Sequence, residues 1–264
     1  MFATDFIFDN KRASDFNLMI GSFNNGIETA SGGEIEFSVI KAPNQDKYDF
    51  YGAAINSVLT WNFSLLKNPC YTDDADELYF TQDEERQIAK WLLKQDGYKY
   101  FRFEQAGYEN IFYKVQINMS PYQIGGRTAG FDLTVTSDCG YGYSQEFTHN
   151  FTLNKENPIN LSINSDINSY ILPHITLNGN GSFYISNNSD LSQNISNAKS
   201  TQLSNVTGTV TMDSDKDIIT GISSPNDFSW YFLRLVNGVN EIATDSADNI
   251  ELKITYREPR RVIV

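Results

Sequence analysis

Alternation of apolar and polar side chains is the main pattern along this chain. Period-two alternation places every second side chain on one face of a strand, as half-buried antiparallel strands require. It recurs in EIEFSV (34–39), VLTWNFSLL (58–66), IFYKVQIN (111–118), FDLTVT (131–136) and ELKITY (251–256). Asn-Gly dipeptides, which tolerate the positive φ of tight hairpins, predict turns at 25–26, 178–179, 180–181 and 237–238. The pattern predicts a mainly β protein.

One segment departs from this alternation and predicts an α-helix over about residues 82–95. Thr81 and Glu84, three residues apart, form a capping box, in which each side chain satisfies a backbone amide of the first turn. Gly97 supplies a C-terminal stop. Residues at i, i+3 and i+4 form one apolar stripe that should pack on a sheet. This stripe consists of Ile88, Trp91 and Leu92.

The chain of 264 residues is long enough for two β domains of ordinary size. Composition changes near residue 140, from a segment rich in charge and aromatic residues to one rich in asparagine. Between them, DCGYGYSQEFT at 138–148 mixes glycines and aromatics in irregular order, which is typical of a hinge. We therefore expect two β-sandwich-like domains, at 1–145 and 146–264, with the helix covering the first.

The net charge of −13 argues against ordinary nucleic-acid binding, because an acidic surface repels phosphate. The charge is uneven: residues 1–150 hold 12 Lys and Arg against 21 Asp and Glu, a net of −9, and residues 151–264 hold 8 against 12, a net of −4. Solubility is one explanation for it. An acidic channel wall along which DNA slides without sticking is another.

No catalytic or metal-binding constellation is evident in the sequence. A glycine loop for phosphate, a G-x-S-x-G elbow, an H-E-x-x-H pair and CxxC spacing are all missing. Cys70 and Cys139 are expected to be reduced thiols, and His149 and His174 to have surface or packing roles. The segment DSDKD at 213–217 has the alternate carboxylates of a calcium loop but lacks its glycine and final glutamate. We therefore predict no enzyme activity, no cofactor and no metal.

Membrane insertion and export are also not expected. No run approaches the ~20 apolar residues that span a bilayer. The opening MFATDFIFDN carries acidic residues where a secretory signal would carry lysines and an apolar core.

Several phrases occur in an order that is similar to one protein family. They are FIFDNKRASDFNLMI (6–20), ERQIAKWLL (85–93) with YKYFRF (98–103) and IFYKV (111–115), FDLTVTSDCGYGY (131–143), ILPHITLNGNGSFYISN (171–187), GTVTMDSD (208–215) and FLRLVNGVNEI (232–242). The last contains an L-x-x-G-x-N-x-I phrase at Leu235, Gly238, Asn240 and Ile242. Together they resemble the distal tail protein (Dit) family of long-tailed, non-contractile bacteriophages (siphophages), although the proline of its F-x-C-x-x-P-Y phrase is missing.

This resemblance implies a structural virion protein of the tail tip, assembled in the host bacterial cytoplasm. Its first domain would form a hexameric ring with five other copies, and its second would be a galectin-like β-sandwich. The partners implied are the tail tube protein and the tail-tip or receptor-binding proteins, with DNA passing through the lumen without specific binding.

Ring formation requires surfaces that pair with a neighbouring subunit, and the region from Ile20 to Tyr48 is expected to form a protruding hairpin for this purpose. A surface loop is the competing interpretation. The subunit-interface candidates are Ile20, Phe23, Ile27, Ile35, Phe37 and Val39.

Two other functions stay open from sequence. One is a carbohydrate-binding, lectin-like adhesion module, with Trp230 and its Asn-rich surroundings as the sugar site; a place for Trp230 in the core is the competing interpretation. The other is a tail tube or neck protein, which would also form rings.

Overall fold

The computed structural model describes residues 3–21, 29–55, 57–71, 74–94, 96–193 and 199–262. Within these ranges the α-helix is α1, Gln82–Leu92, and short 3-10 helices span Ser14–Phe16, Pro69–Tyr71, Ala75–Leu78 and Pro225–Asp227. No described helix is long and apolar enough to cross a bilayer. The strands are β1 Asp5–Phe8, β2 Lys11–Arg12, β3 Leu18–Gly21, β4 Thr29–Ser31, β5 Ile35–Ile40, β6 Asp49–Ile55, β7 Thr60–Lys67, β8 Lys99–Glu104, β9 Tyr113–Ile124, β10 Arg127–Ser137, β11 Gly142–Tyr143, β12 Phe147–Leu153, β13 Ile159–Ile163, β14 His174–Asn187, β15 Thr201–Asp213, β16 Ile218–Thr220, β17 Gly238–Thr244, β18 Ile250–Tyr256 and β19 Pro259–Arg260.

The chain is mainly β and folds as two compact units. The first unit consists of Met1–Tyr143 together with Arg261–Val264, and the second of Ser144–Arg260. Residues from Arg261 onward therefore return to the first unit, whereas sequence alone assigned them to the range 146–264.

An antiparallel sheet forms the first unit, with strand order β2-β1-β8-β9-β10-β7-β3 and β4 also paired with β7. The Ile20 amide donates a hydrogen bond of 3.2 Å to the Thr4 carbonyl, so β3, at one end of the path, lies close to the start of β1, the second strand from the other end. The alternating faces predicted from sequence supply the enclosed core. Its aromatic and aliphatic members include Trp61, Phe63, Leu65, Phe101, Phe103, Phe131, Leu133 and Val135.

Helix α1 begins as predicted and ends earlier. Thr81 Oγ1 accepts a bond from the Glu84 amide, and Glu84 Oε2 accepts one of 2.8 Å from the Thr81 amide, which confirms the capping box. The helix ends at Leu92, three residues before the approximate end predicted near residue 95. The apolar stripe ends there, because the positions three and four residues beyond Leu92 are polar.

The apolar stripe of α1 lies on the first sheet. Ile88, Trp91 and Leu92 are all buried in the first core. The Trp91 ring stacks on Phe6 with centroids 5.7 Å apart, and its indole N–H donates a bond of 3.0 Å to the Phe8 carbonyl. These contacts fix the helix over β1.

The second unit contains a seven-stranded antiparallel sheet with the path β12-β18-β14-β15-β16, to which the pair β13–β17 is joined through β14. The predicted turns at 178–179 and 180–181 are wrong, because β14 runs continuously through both dipeptides. Gly181 has a positive φ, but the result is a register shift against β15 rather than a reversal. The dipeptide at 237–238 lies at the start of β17, whose first residue, Gly238, has φ +95°.

Candidate assembly surfaces

Strands β5 and β6 form a two-stranded sheet of their own, which we call the β5–β6 arm (residues 35–55). The register pairs Ile35 with Ile55 at one end and Ile40 with Asp49 at the other, with one bulge after Ser38. The arm is therefore a regular hairpin. The other long strands belong to the eight-stranded or the seven-stranded sheet, whereas β5 and β6 pair only with each other in the described chain.

One face of the arm is apolar and open to solvent. The register places Phe37 opposite Ala53 and Val39 opposite Phe50, so these side chains share a face. The rings of Phe37 and Phe50 lie 6.3 Å apart, and their side chains are 61% and 64% exposed. Val39 is 47% exposed. The arm thus has the apolar–polar alternation of a strand with one buried face. In the described chain, however, Phe37, Val39 and Phe50 on that face stay exposed.

The base of the arm is held in place at the start of β7. The amides of Gly33 and Glu34 donate to the Ser57 carbonyl and Ser57 Oγ, at 3.3 and 3.1 Å. Gly32 has φ +108°, and a Cβ there would lie 1.9 Å from the Val58 carbonyl oxygen. Only glycine fits this close approach, so the arm leaves the sheet at a fixed point.

The predicted interface residues fall into three groups. Ile20 is buried in the first core, so its interface role is wrong: its side chain is used inside the subunit. Phe23 and Ile27 lie outside the described residues. Ile35 is half-buried, whereas Phe37 and Val39 are exposed on the arm.

The predicted hairpin range of 20–48 was also placed too early in the chain. β3 and β4 pair with β7, not with each other, and the protruding hairpin is the β5–β6 arm. Sequence reasoning missed its second strand and the exposed Tyr48, Phe50 and Tyr51. Turn-forming residues at 43–46 between two apolar stretches were the available signal.

Several charged groups of the described ranges pair with one another, as Arg260 does with Asp166 and Glu258. No described group of three His, Cys, Asp or Glu side chains is arranged to hold a metal ion. Burial raises the pKa of the Cys139 thiol to about 12, which keeps it protonated and unreactive at neutral pH. His149 stacks between Phe151 and Tyr256. In the DSDKD segment, the Asp213 carboxylate accepts bonds from the Asp215 and Lys216 amides, as in a tight turn.

A cleft of about 490 Å³ lies on the outer face of the second sheet. Its floor is a set of neighbouring strand positions on β12, β18, β14 and β15. The residues around it are Asn150, Phe151, Thr152, Thr176, Asn178, Thr209, Glu251, Leu252 and Lys253. Trp230, proposed from sequence as part of a sugar site, does not line this cleft.

Two family models cover nearly the whole chain. The first, described as a phage tail protein N-terminal domain, matches residues 1–139, and the second, a phage tail C-terminal domain, matches residues 141–256. The chain therefore belongs to this family of phage tail proteins, a structural component of the virion tail.

A solved structure with the same fold is SPP1 Dit, described as a paradigm of the hub adsorption apparatus in phages that infect Gram-positive bacteria. The TM-score is 0.58 at 10% sequence identity, over 97% of this chain and 99% of that one. The resemblance to the distal tail family that the sequence phrases indicated is thus confirmed. No curated protein matches the sequence.

Proposed function

We propose that this chain is the distal hub of the tail, in which six copies close into a ring that joins the tail tube to the tip and adhesion proteins. The β5–β6 arm is the observation that carries the proposal. Its apolar face is ordered and regularly paired within itself, yet exposed in the single chain. Exposed apolar patches of this kind mark protein–protein contacts.

The geometry of the arm fits a ring better than a two-fold dimer. Its base is fixed while its face points to solvent, so it can lie on a surface of the next copy that differs from itself. Such head-to-tail contacts close into a ring when a whole number of copies, each rotated by the same angle from the last, completes a full turn. Closure leaves every arm covered, which removes the aggregation hazard of an open apolar hairpin.

A charge on the arm tests this assignment, with a matched valine as control. Val39→Asp places a carboxylate on the apolar face, whereas Val239→Asp changes a valine on β17 that is 57% exposed in the second unit. Light scattering should give the unaltered chain and Val239→Asp a mass near six times 29.9 kDa, and Val39→Asp a mass near that of one chain. Equal masses for all three, or disassembly by both variants, would contradict an arm-mediated ring.

Electron microscopy of the same samples separates the hub from the other functions considered. A hub gives closed single rings, whereas a tail tube or neck protein gives stacked rings or tubes. A strict monomer at all concentrations would leave the lectin-like module as the better function. In the hub, one face of the ring contacts the tail tube protein and the other the tip proteins, and assembly takes place in the host cytoplasm.

A further inference from the structure

The second unit contains three Asn-Gly dipeptides, at 178–179, 180–181 and 237–238, and the fourth of the chain, at 25–26, lies outside the described residues. In this dipeptide an asparagine side chain can react with the backbone of its own chain, because glycine has no Cβ to obstruct ring closure. The reaction requires the glycine nitrogen to reach the side-chain carbon Cγ of the asparagine. How firmly the fold holds each dipeptide therefore decides which of them reacts.

The dipeptide at 237–238 is held through both polar atoms of its asparagine. Asn237 Oδ1 accepts a bond of 3.0 Å from the Ser165 amide, and its Nδ2 donates a bond of 3.2 Å to Asn168 Oδ1. Turning Cγ toward the Gly238 nitrogen would break these bonds. This side chain is therefore fixed in an unreactive position.

The dipeptide at 178–179 is held by strands on both sides. Asn178 of β14 pairs with Glu251 of β18 on one side and with Thr209 of β15 on the other. Asn178 Nδ2 also donates a bond of 3.3 Å to Glu251 Oε2, and Gly179 is buried. Movement of the backbone here would disturb two ladders at once.

The dipeptide at 180–181 lies where β14 changes its neighbour. β14 pairs with β18 as far as Asn178 and with β17 from Ile185, so between them β15 is the only described strand that pairs with it. Asn180 and Gly181 are both exposed, and the register against β15 shifts directly after Gly181. Within the described chain, the Asn180 side chain makes no hydrogen bond. A Cβ at Gly181 would have no atom within 4 Å, so the surroundings leave room for movement.

We propose that Asn180 is a self-modification site, at which the chain deamidates without an enzyme. The Gly181 backbone nitrogen loses its proton and attacks Asn180 Cγ. A bond forms between this nitrogen and Cγ, the bond from Cγ to Nδ2 breaks, and ammonia leaves with a proton. One water molecule then opens the resulting succinimide at either of its carbonyls, which gives aspartate or isoaspartate. No atom changes its oxidation state.

The product changes the charge of one face of the second sheet. Asn178 and Asn180 are two positions apart on β14, so their side chains lie on the same face. Asn178 lines the cleft of about 490 Å³ on this face, together with Glu251 and Lys253. Deamidation adds a carboxylate to the face that carries the cleft, which becomes more acidic as the protein ages. The reaction takes place within the second unit of each copy and does not depend on the ring.

The test is incubation of the full chain at mildly alkaline pH, in native buffer and in guanidinium chloride, with samples digested over several days. Deamidation adds about one dalton to a peptide, and fragmentation in the mass spectrometer assigns it to position 178, 180 or 237. In native buffer we expect position 180 to react roughly tenfold or more faster than the other two, a ratio that a small difference in barrier produces. In guanidinium chloride the three should react at similar rates, because only the shared Asn-Gly sequence then acts.

Asn180→Gln should abolish the modification at this position, since glutamine would have to close a larger ring. Asn178→Gln, two residues away on the same strand, is the matched control and should leave the rate at position 180 unchanged. The rate should also rise with pH, because the attacking nitrogen must lose its proton. Equal rates at the three positions in native buffer, or a faster reaction at 178 or 237, would overturn the proposal. So would an unmodified position 180 while the denatured chain reacts, or a product without isoaspartate, which indicates direct hydrolysis of the side chain.

Discussion

Asn240 shows how a single residue of the L-x-x-G-x-N-x-I phrase acts. The side chain is fully buried, and its amide nitrogen donates to the carbonyls of Val236 and Gly238 at 2.8 and 3.2 Å. Its oxygen accepts bonds of 2.7 Å from the Val236 amide and from Asn187 Nδ2. One amide thus satisfies both sides of the turn that starts β17, which explains why this position requires both a donor and an acceptor.

Asn240→Asp should destabilise the second unit strongly. The replacement puts a carboxylate oxygen against backbone carbonyls and buries a negative charge without a counter-charge, at a cost of about 3–5 kcal/mol. Calorimetry of the full chain measures it, with Asn160→Asp at an exposed position of β13 as the control. A similar loss of stability for both variants would show that the network is not the cause.

Trp91 is the residue on which the placement of α1 depends. Besides Phe6, its ring stacks on Phe16 with centroids 4.7 Å apart. Trp91→Ala should cost about 3–5 kcal/mol through the lost contacts and the cavity left behind. Thr81→Ala, which removes only the helix cap, should cost about 1 kcal/mol. Chemical unfolding should rank the two in this order, and an unchanged melting temperature for Trp91→Ala would contradict the packing described.

At the scale of elements, the start of α1 is tied to the sheet through Lys67 at the end of β7. Lys67 Nζ donates to the Glu77 and Tyr79 carbonyls, both at 3.0 Å, and forms an ion pair of 2.8 Å with Glu84. The pKa of Glu84 is lowered: partial burial acts to raise it, but the hydrogen bonds from Lys67 and Thr81 outweigh that effect. One carboxylate therefore serves both the capping box and the contact with the sheet.

This arrangement predicts a pH dependence. A carboxyl whose pKa is lower in the folded than in the unfolded chain adds stability above its unfolded pKa, and that stability is lost as pH falls through the folded pKa. Glu84→Gln should therefore melt below the unaltered chain near neutral pH, and the difference should shrink toward about pH 3. Glu85→Gln, one residue further along the helix, is the control. A difference that does not change with pH would exclude the ion pair as its source.

Sequence predicted those elements whose determinants are local. Thr81 and Glu84 are three residues apart, and the alternation in β7, β10 and β18 is visible within each strand. The strands around residues 20–55 could not be assigned in the same way, because their partners are distant in the chain: β3 and β4 both pair with β7. Alternation in β5 correctly predicted a strand but not that its apolar face is left open.

The candidate surfaces were predictable to a smaller extent. Phe37 and Val39 were identifiable from alternation, but Phe50 was not, since its place on the same face depends on the register and bulge of the arm. The left-handed backbone conformation of Trp230 is set by hydrogen bonds that Thr201 and Gln202 of β15, about thirty residues earlier in the chain, make to its two neighbours. The residues next to Trp230 in the sequence therefore could not predict it.

For the whole molecule, the excess of acid in residues 1–150 becomes a prediction about the ring. If six copies form the proposed ring, part of the net charge of −9 in this range should face its lumen, where carboxylates would repel phosphate and let DNA pass without being held. The effect reaches only ~8 Å at physiological salt, so it requires carboxylates on the wall itself. An experimental structure of the ring with its charges mapped is the check. A neutral or basic lumen, with the acidic residues outside, would leave solubility as their role.

The return of the chain to the first unit affects the order in which the protein is made. Val262 lies in the first core, yet a ribosome reaches it only after the whole second unit has been synthesised. The core of the first unit therefore lacks this side chain until the second unit has been synthesised. A core that waits for a late side chain keeps apolar surface exposed for longer during synthesis, and such surface makes incompletely folded chains prone to aggregate.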